Sequence, residues 1–348
     1  MMEWDQARLK VLYIGGTGTI SASCVRLSVA AGMQVSVLNR GNNKMERDLP
    51  AAVTWLKGDL KDDVSLASAI GDQEFDAVVN FLSYDADDAR RAVSMFKGRT
   101  NQYVHISSAS VYGKPVLQVP ITESTPVHNR FLAYARAKIR AEAALQEAYS
   151  ADGFPVTIVR PSHTYDDANP PLPGGWTVVD RLARGLEIPV HGDGTSLWTL
   201  THSEDFAVGL VGLLANPRAI GETFHITGQD IYTWDQIYRI VGQAIGVDAR
   251  LVHIPSELFP VAAPDWGWSE LLVGDLSHSA VFDNSKIQRF VPSFRPKLTF
   301  HRAALRLAEW RASHPEQTRA DATVDAVLER MVAAYHAGRR AFEDSAPK

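Results

Sequence analysis

Val11-Leu12-Tyr13-Ile14-Gly15-Gly16-Thr17-Gly18-Thr19-Ile20-Ser21 is an apolar strand that runs into a glycine-rich turn and then a helix start. Gly15 permits the tight turn out of the strand. Gly18, lacking a β-carbon, lets backbone N–H groups approach a phosphate at the positive end of the following helix. The helix is predicted over Thr19–Ala31 with a stop at Gly32, and Val35–Leu38 supplies a second short apolar strand. Together they fill a βαβ unit of about 30 residues, the setting in which such a turn binds the pyrophosphate of a dinucleotide. The alternative is an ordinary Gly-rich turn between strand and helix, which has no need of that unit. Ser21 stands where a third glycine is usual and is small enough to let helix pack on strand, though less closely.

The end of the second strand bears on cofactor choice. A carboxylate there would bind the ribose 2′-OH of NAD, but the chain has Leu38-Asn39-Arg40-Gly41. The Arg40 guanidinium suits a 2′-phosphate and can stack on adenine, which favours NADP over NAD; the competing reading is a solvated surface arginine. Gly58-Asp59-Leu60 closes a third strand and places Asp59 to accept a hydrogen bond from the adenine amino group.

With 348 residues, 45% of them apolar, the chain can bury one large core or two smaller ones. A net charge of −5 argues against a general nucleic-acid or anionic-membrane surface. The one cysteine, Cys24, falls in the first helix, so it is expected in the core, no internal disulfide can form, and a reducing compartment fits. No secretory leader pattern opens the chain and no apolar run is long enough to cross a bilayer, so a cytoplasmic protein is expected. The histidines lack paired ligand spacing, and no metal site is expected.

Strand-like stretches at Thr54–Lys57, Ala77–Asn80, Tyr103–Ser107 and Val156–Arg160 alternate with helical patterns at Asp63–Ile70, Asp85–Phe96 and Leu132–Tyr149. This alternation predicts an α/β fold with a doubly wound, Rossmann-type parallel sheet, with ligands at the carboxyl ends of the strands. After Pro161 the loops Pro170–Gly175 and His191–Gly194 mark a smaller, mixed substrate-binding lobe. A helix at Ser203–Leu214 and a strand at Glu222–Thr227 return the chain to the main sheet. The expected division is 1–161 with 202–228 for the dinucleotide domain, 162–201 with 229–315 for the lobe, and 316–348 for a helical tail. Within the tail, the amphipathic helix Thr323–Phe342 is expected to be a solvated terminal element.

Tyr134-Ala-Arg-Ala-Lys138 precedes the strand at Val156. Residues four apart share a helical face, so phenol and ammonium can point into one cleft, where a cation favours the ionised phenol. Alone, such a pair is more often two surface residues. Ile106-Ser107-Ser108-Ala109-Ser110-Val111-Tyr112-Gly113, however, places hydroxyls at the end of the preceding strand. Ser110 is a candidate substrate contact or a strand-end hydroxyl satisfied by backbone, and Tyr112 is expected to be packing.

With the Gly15/Gly18 turn, Gly58-Asp59-Leu60, Val159-Arg160-Pro161 and His202-Ser203-Glu204-Asp205, these motifs make the chain resemble the extended short-chain dehydrogenase/reductase superfamily, the NAD-dependent epimerase/dehydratase group, over roughly residues 9–310. The resemblance implies Ser108, Tyr134 and Lys138 as catalytic residues, with hydride passing between substrate carbon and cofactor while Tyr134 handles the proton. It implies an NAD(P) site formed by Gly15, Thr17, Gly18, Thr19, Ile20, Asn39, Arg40, Asp59, Leu60, Phe81 and Pro161 together with Tyr134 and Lys138.

Family dehydratases carry an Asp-Glu pair after the catalytic hydroxyl. Ala109 and Ser110 stand there, which disfavours elimination and leaves epimerisation or net oxidation or reduction at an alcohol carbon of a sugar-like, possibly nucleotide-linked, substrate. Relative to family epimerases, Trp198 and Leu272 occupy the positions of two arginines that clamp a diphosphate, and His163 that of an asparagine. Trp198 is therefore a candidate to stack on a sugar or base, and His163 a substrate contact, proton carrier or packed histidine. His202, Glu204 and Asp205 are expected as caps, Lys286 as structural, and Trp266 and Trp268 in the lobe. The resemblance also implies a homodimer through the Tyr134 helix, whose Ala133, Ala135, Ala137, Ala141, Ala143 and Ala144 permit close approach. Two rivals share the fold: an RNA-binding protein like the chloroplast stem-loop-binding proteins, which the acidic charge disfavours, and a catalytically idle cofactor sensor.

Overall fold

The computed structural model describes residues 9–41 and 48–346, so the parts of the expected domains at 1–8, 42–47 and 347–348 lie outside the described residues. The first half runs β1 (Lys10–Ile14), α1 (Ser21–Ala30), β2 (Gln34–Asn39), β3 (Thr54–Lys57), α2 (Asp63–Ile70), β4 (Ala77–Asn80), α3 (Ala86–Phe96), β5 (Tyr103–Ile106), α4 (Ala133–Asp152) and β6 (Val156–Pro161). The remainder adds β7 (Thr164–Tyr165), α5 (Trp176–Ala183), β8 (Glu187–His191), β9 (Leu197–Thr199), β10 (Thr201–His202), α6 (Ser203–Leu213), β11 (Thr223–Ile226), β12 (Ile231–Thr233), α7 (Trp234–Ala244) and β13 (Arg250–Ile254). It ends with α8 (Phe259–Ala262), α9 (Ser269–Leu271), α10 (Ser285–Phe290), α11 (Phe300–Ser313) and α12 (Ala322–Ser345).

Seven strands form one sheet in the order β11-β6-β5-β4-β1-β2-β3, with every neighbouring pair parallel. Val11, Leu12, Tyr13 and Ile14 of β1 are all fully buried. Helices cover both faces of the sheet, so its central strands are continuous apolar runs rather than alternating ones. Val25, Phe206 and Leu210 fill the layer under α1 and α6; Leu66, Phe96 and Leu145 fill the one under α2, α3 and α4. Cys24 is in the first of these layers, as expected. Asp62 and Asp85 cap α2 and α3 by accepting backbone N–H bonds, and α4 stops at Gly153, whose φ of 68° suits glycine.

Strand order reverses between β1 and β4, so the crevice that takes ligands in such sheets opens above the carboxyl ends of β1, β4, β5 and β6. A second core covers that edge. Three two-stranded sheets, β10-β7, β12-β9 and β13-β8, pack with α5, α7 and α11 around Trp234, Tyr238 and Phe300.

The terminal helix departs from expectation. Val327, Leu328 and Met331 of α12 are buried in the lobe core, and the Arg181 guanidinium donates to Asp325 at 2.7 Å and Glu329 at 2.8 Å. Its apolar stripe therefore docks on α5 and β8, while the opposite face carries the charges that suggested a solvated helix. Of the alanines on α4, Ala135 and Ala141 face their own domain and are buried, whereas Ala133 and Ala143 are exposed. Lys286 pairs with Glu222 at 2.7 Å, as a structural residue should.

Gly15 has φ +83°, and a Cβ there would lie 2.6 Å from Leu82 Cγ. Gly15→Ala should therefore destabilise the protein by about 1–3 kcal/mol, read as a lower urea midpoint at constant slope. An unchanged midpoint would refute this account of the turn.

Candidate active site

β5 ends at Ile106, and the next residues turn outward at the crevice. Ser107 N–H donates to Val159 O at 2.7 Å, continuing the pairing to β6, and its hydroxyl donates to Glu142 of α4. Arg160 grips the same carboxylate twice, at 3.0 and 2.5 Å. Ser108 then caps a single helical turn over Ala109–Val111 by accepting the Ser110 N–H at 3.2 Å, and the two hydroxyls lie 2.9 Å apart. Tyr112 is buried; its hydroxyl is 3.3 Å from His225 Nδ1 and the Arg160 guanidinium lies over its ring, the packing role expected of it.

Tyr134 and Lys138 face the same crevice from α4. Lys138 Nζ donates to Ser83 O at 2.7 Å and Ile106 O at 2.8 Å, and lies 4.8 Å from the Tyr84 ring centroid and 5.8 Å from that of Tyr134. Burial lowers its pKa to about 8, against the opposing pull of Glu142 and Asp88. The Tyr134 ring is 43% exposed, yet desolvation pushes its phenol up to about 12 while the Ser108 hydroxyl pulls it down. The expectation that Lys138 lowers the phenol's pKa is thus not met in this state. The ammonium is spent on two carbonyls, and burial governs the phenol.

These groups line a cavity of about 400 Å³ together with Ile20, Phe81 and Pro161 on one side and Ser110, His163 and Trp198 on the other. The remaining expected cofactor residues lie along the same sheet edge. Gly15, Thr17, Gly18 and Thr19 form the β1–α1 turn, Asn39 and Arg40 end β2, and Asp59 and Leu60 follow β3. Arg40 is exposed and Leu60 buried; Asn39 and Asp59 side chains accept the N–H groups of Gly41 and Lys61. The first turn of α1 carries no acidic residue and no side-chain cap, and Gly15, in the left-handed region, turns the chain into it where a Cβ would strike Leu82. This donor set fits a dinucleotide phosphate. Ser21 does more than pack: its hydroxyl accepts the Gly18 N–H at 2.8 Å.

On the lobe side, one expectation is corrected. Trp198 is 3% exposed, donates its indole N–H to Leu276 O at 3.0 Å and packs against Trp234, so it walls the cavity rather than offering a free stacking face. Leu272 is core. His163 bonds Pro171 O at 3.1 Å and meets Trp198, Trp234 and Trp268 edge-on; burial lowers its pKa, keeping it neutral. Of its three expected roles, the packed, hydrogen-bonded one describes its contacts. Trp266 and Trp268 pack against the lobe core. His202 caps α6, Asp205 accepts the N–H groups of Lys297 and Leu298, and Glu204 pairs with Arg306.

A family model described as the NAD dependent epimerase/dehydratase family matches residues 11–227. The chain belongs to that family. Its relatives include the 2′-dehydrokanamycin reductase of Streptomyces kanamyceticus, 26% identical over 84% of this chain and 82% of that protein. Another is the chloroplast stem-loop binding protein of 41 kDa b of Arabidopsis thaliana, 28% identical over 70% of this chain and 65% of that protein. Among solved structures, an epimerase from Methanothermobacter thermautotrophicus superposes with TM-score 0.75 at 18% identity, over 90% of this chain and 96% of that one. A UDP-glucose 4-epimerase from Bifidobacterium longum, solved with NAD+ and UDP, gives TM-score 0.72 at 20% identity, over 88% of this chain and 99% of that one.

Three residues of this epimerase/dehydratase-family site escaped the sequence reading. Lys114, directly after Val111-Tyr112-Gly113, pairs with Asp275 at 2.8 Å in the cavity wall. Asn129, 1% exposed, donates to Ser110 O and Gly274 O and accepts the Phe131 and Leu132 N–H groups, tying the Ser108 loop to the start of α4. The third is Glu142. Removing it by Glu142→Ala leaves the Arg160 charge buried and unpaired, and should cost about 3–5 kcal/mol of stability in chemical denaturation. A loss below about 1 kcal/mol, the range of an exposed pair, would contradict that.

Proposed function

We propose that this protein is an NAD(P)-dependent epimerase or oxidoreductase acting at an alcohol carbon of a sugar-like substrate. The observation that carries the reading is the convergence of Ser108, Tyr134 and Lys138 on one cavity at the carboxyl edge of the sheet, beside Ile20, Phe81 and Pro161. A bound nicotinamide supplies or accepts the hydride there. Tyr134 gives its proton to, or takes it from, the substrate oxygen; Ser108 orients that oxygen; Lys138 would hold positive charge near the phenol and bind a ribose hydroxyl of the cofactor. Ala109 and Ser110 bring no carboxyl group to the cavity, which disfavours elimination as the net reaction. The reductase and epimerase names of the relatives support this class of chemistry. Exposed Arg40 at the end of β2, with no carboxylate in its place, supports NADP over NAD. A homodimer through the exposed part of α4 completes the reading; light scattering that found only monomer would remove it.

Tyr134→Phe should leave NADP(H) affinity unchanged and lower turnover by about 10²–10⁴-fold, the usual worth of a positioned proton donor. Near-normal turnover would take Tyr134 out of the mechanism. Arg40→Ala should raise KM for NADP far more than KM for NAD, and equal effects would defeat the 2′-phosphate assignment. The relationship to a stem-loop binding protein sets the rival: retention of RNA in a native gel, without any cofactor fluorescence change, would replace the enzyme reading.

A further inference from the structure

We propose that the Lys114–Asp275 ion pair is the substrate-recognition element of this cavity and that it selects a hydroxylated ring bearing no phosphate. The inference rests on the nicotinamide-dependent reading above and goes on to the substrate class.

The pair is built into the wall. Lys114 follows the Ser108 loop, Asp275 comes from the opposite lobe, and their side chains are 1% and 10% exposed. Two charges taken out of water in this way are poor evidence of a stabilising device, because desolvation offsets most of their attraction. The pair also has capacity left over. It joins one ammonium to one carboxylate oxygen, and no other hydrogen bond or ion pair to either side chain occurs among the described residues. What remains is a donor beside an acceptor, the complement of a hydroxyl group, which is both.

The Asp275 backbone is held rigidly. It lies in a π-helical turn over Leu272–Leu276, whose end leaves carbonyls without helical partners. Side chains take them up. Leu276 O accepts from Trp198 Nε1 at 3.0 Å, Trp234 Nε1 at 3.2 Å, Ser196 Oγ at 2.9 Å and His191 Nε2 at 3.1 Å, and Gly274 O accepts from Asn129. Braced on both sides, Asp275 meets a ligand without reorganisation.

The charge inventory sets the class. Lys114 and Lys138 are the cations among the described residues lining the cavity; the first is neutralised by Asp275 and the second is held by two backbone carbonyls. An adjoining cavity of about 310 Å³, reached past His163 and Trp268, adds Asn169, Thr177 and Asp321 but no lysine or arginine among its described residues. A diphosphate brings negative charge that such sites meet with bidentate arginine. Here it would meet two lysines, one paired with Asp275 and one held by backbone carbonyls, and the further carboxylate of Asp321.

The test uses the full-length protein loaded with NADPH, reading bound-nicotinamide fluorescence. Methyl glucoside and myo-inositol at millimolar concentration should perturb the signal, and UDP and UDP-glucose should not. Lys114→Met and Asp275→Asn should each weaken the response to the phosphate-free rings by about tenfold or more, the cost of stranding one buried partner, with NADPH affinity unchanged. Should either fail to fold, the swapped pair Lys114→Asp/Asp275→Lys carries the same comparison and should retain a response to both rings. Tighter binding of UDP-glucose than of methyl glucoside, no response to either phosphate-free ring, or wild-type responses in both single variants would overturn the proposal. Failure to bind NADPH at all would instead overturn the cofactor reading beneath it.

Discussion

One buried carboxylate ties α4 to the ends of β5 and β6, where the sheet faces the crevice. Glu142 lies one helical turn beyond Lys138 on α4, accepts the Ser107 hydroxyl from the end of β5 and receives the Arg160 fork from β6. Ser108 is the next residue along from Ser107, and Pro161 the next from Arg160. A shift of α4 against the sheet would therefore break three charge-assisted bonds before it moved Tyr134 or Lys138 relative to Ser108. Such a network contributes little net stability over an apolar replacement, but it penalises every other register. Parallel strands supply no hairpin turn to set that register, so side-chain locks of this kind have to do it.

A second lock joins the lobe to the sheet. Asn129 donates to Ser110 O and to Gly274 O, so the loop that follows β5 and the π-helical turn of the lobe share one amide. The lobe's aromatic core closes on the same turn through Leu276 O. Sheet edge and lobe thus meet through buried side chains that bond to backbone carbonyls, and the cavity between them is largely preformed.

Local signals made the sheet legible. β1, the Gly15 turn, α2, β3, β4 and α3 fall within a residue or two of where apolar periodicity and caps place them, because in each the signal lies inside the element or beside it. Tyr134 and Lys138 were legible as a pair since helical spacing alone sets them on one face. What stayed hidden depends on residues far apart in the chain. Lys114 looks like any loop lysine until Asp275, from the other lobe, lies 2.8 Å away. Trp198 carries the size of a stacking platform, but its N–H is drawn into the core by the carbonyl of Leu276, the last residue of a helical turn that lies far off in the chain. The charged face of α12 is equally visible in sequence; the α5–β8 surface that takes its apolar face is not.

The opposed shifts at Tyr134 and Lys138 define the resting state. With the phenol pushed up to about 12 and the ammonium down to about 8, neutral pH finds the first protonated and the second still charged. In the reaction proposed above, such a pair would give a proton or support an anion as a carbonyl is reduced to an alkoxide. Oxidation asks for the reverse, a phenolate. The cation that would favour it is held by Ser83 O and Ile106 O. Any contact that draws Lys138 Nζ away from those carbonyls and toward Tyr134 lowers the phenol's pKa and shifts the balance between the two directions. In the proposed reaction the Ser83 and Ile106 carbonyls would bear on the proton step only through their hold on the Lys138 ammonium.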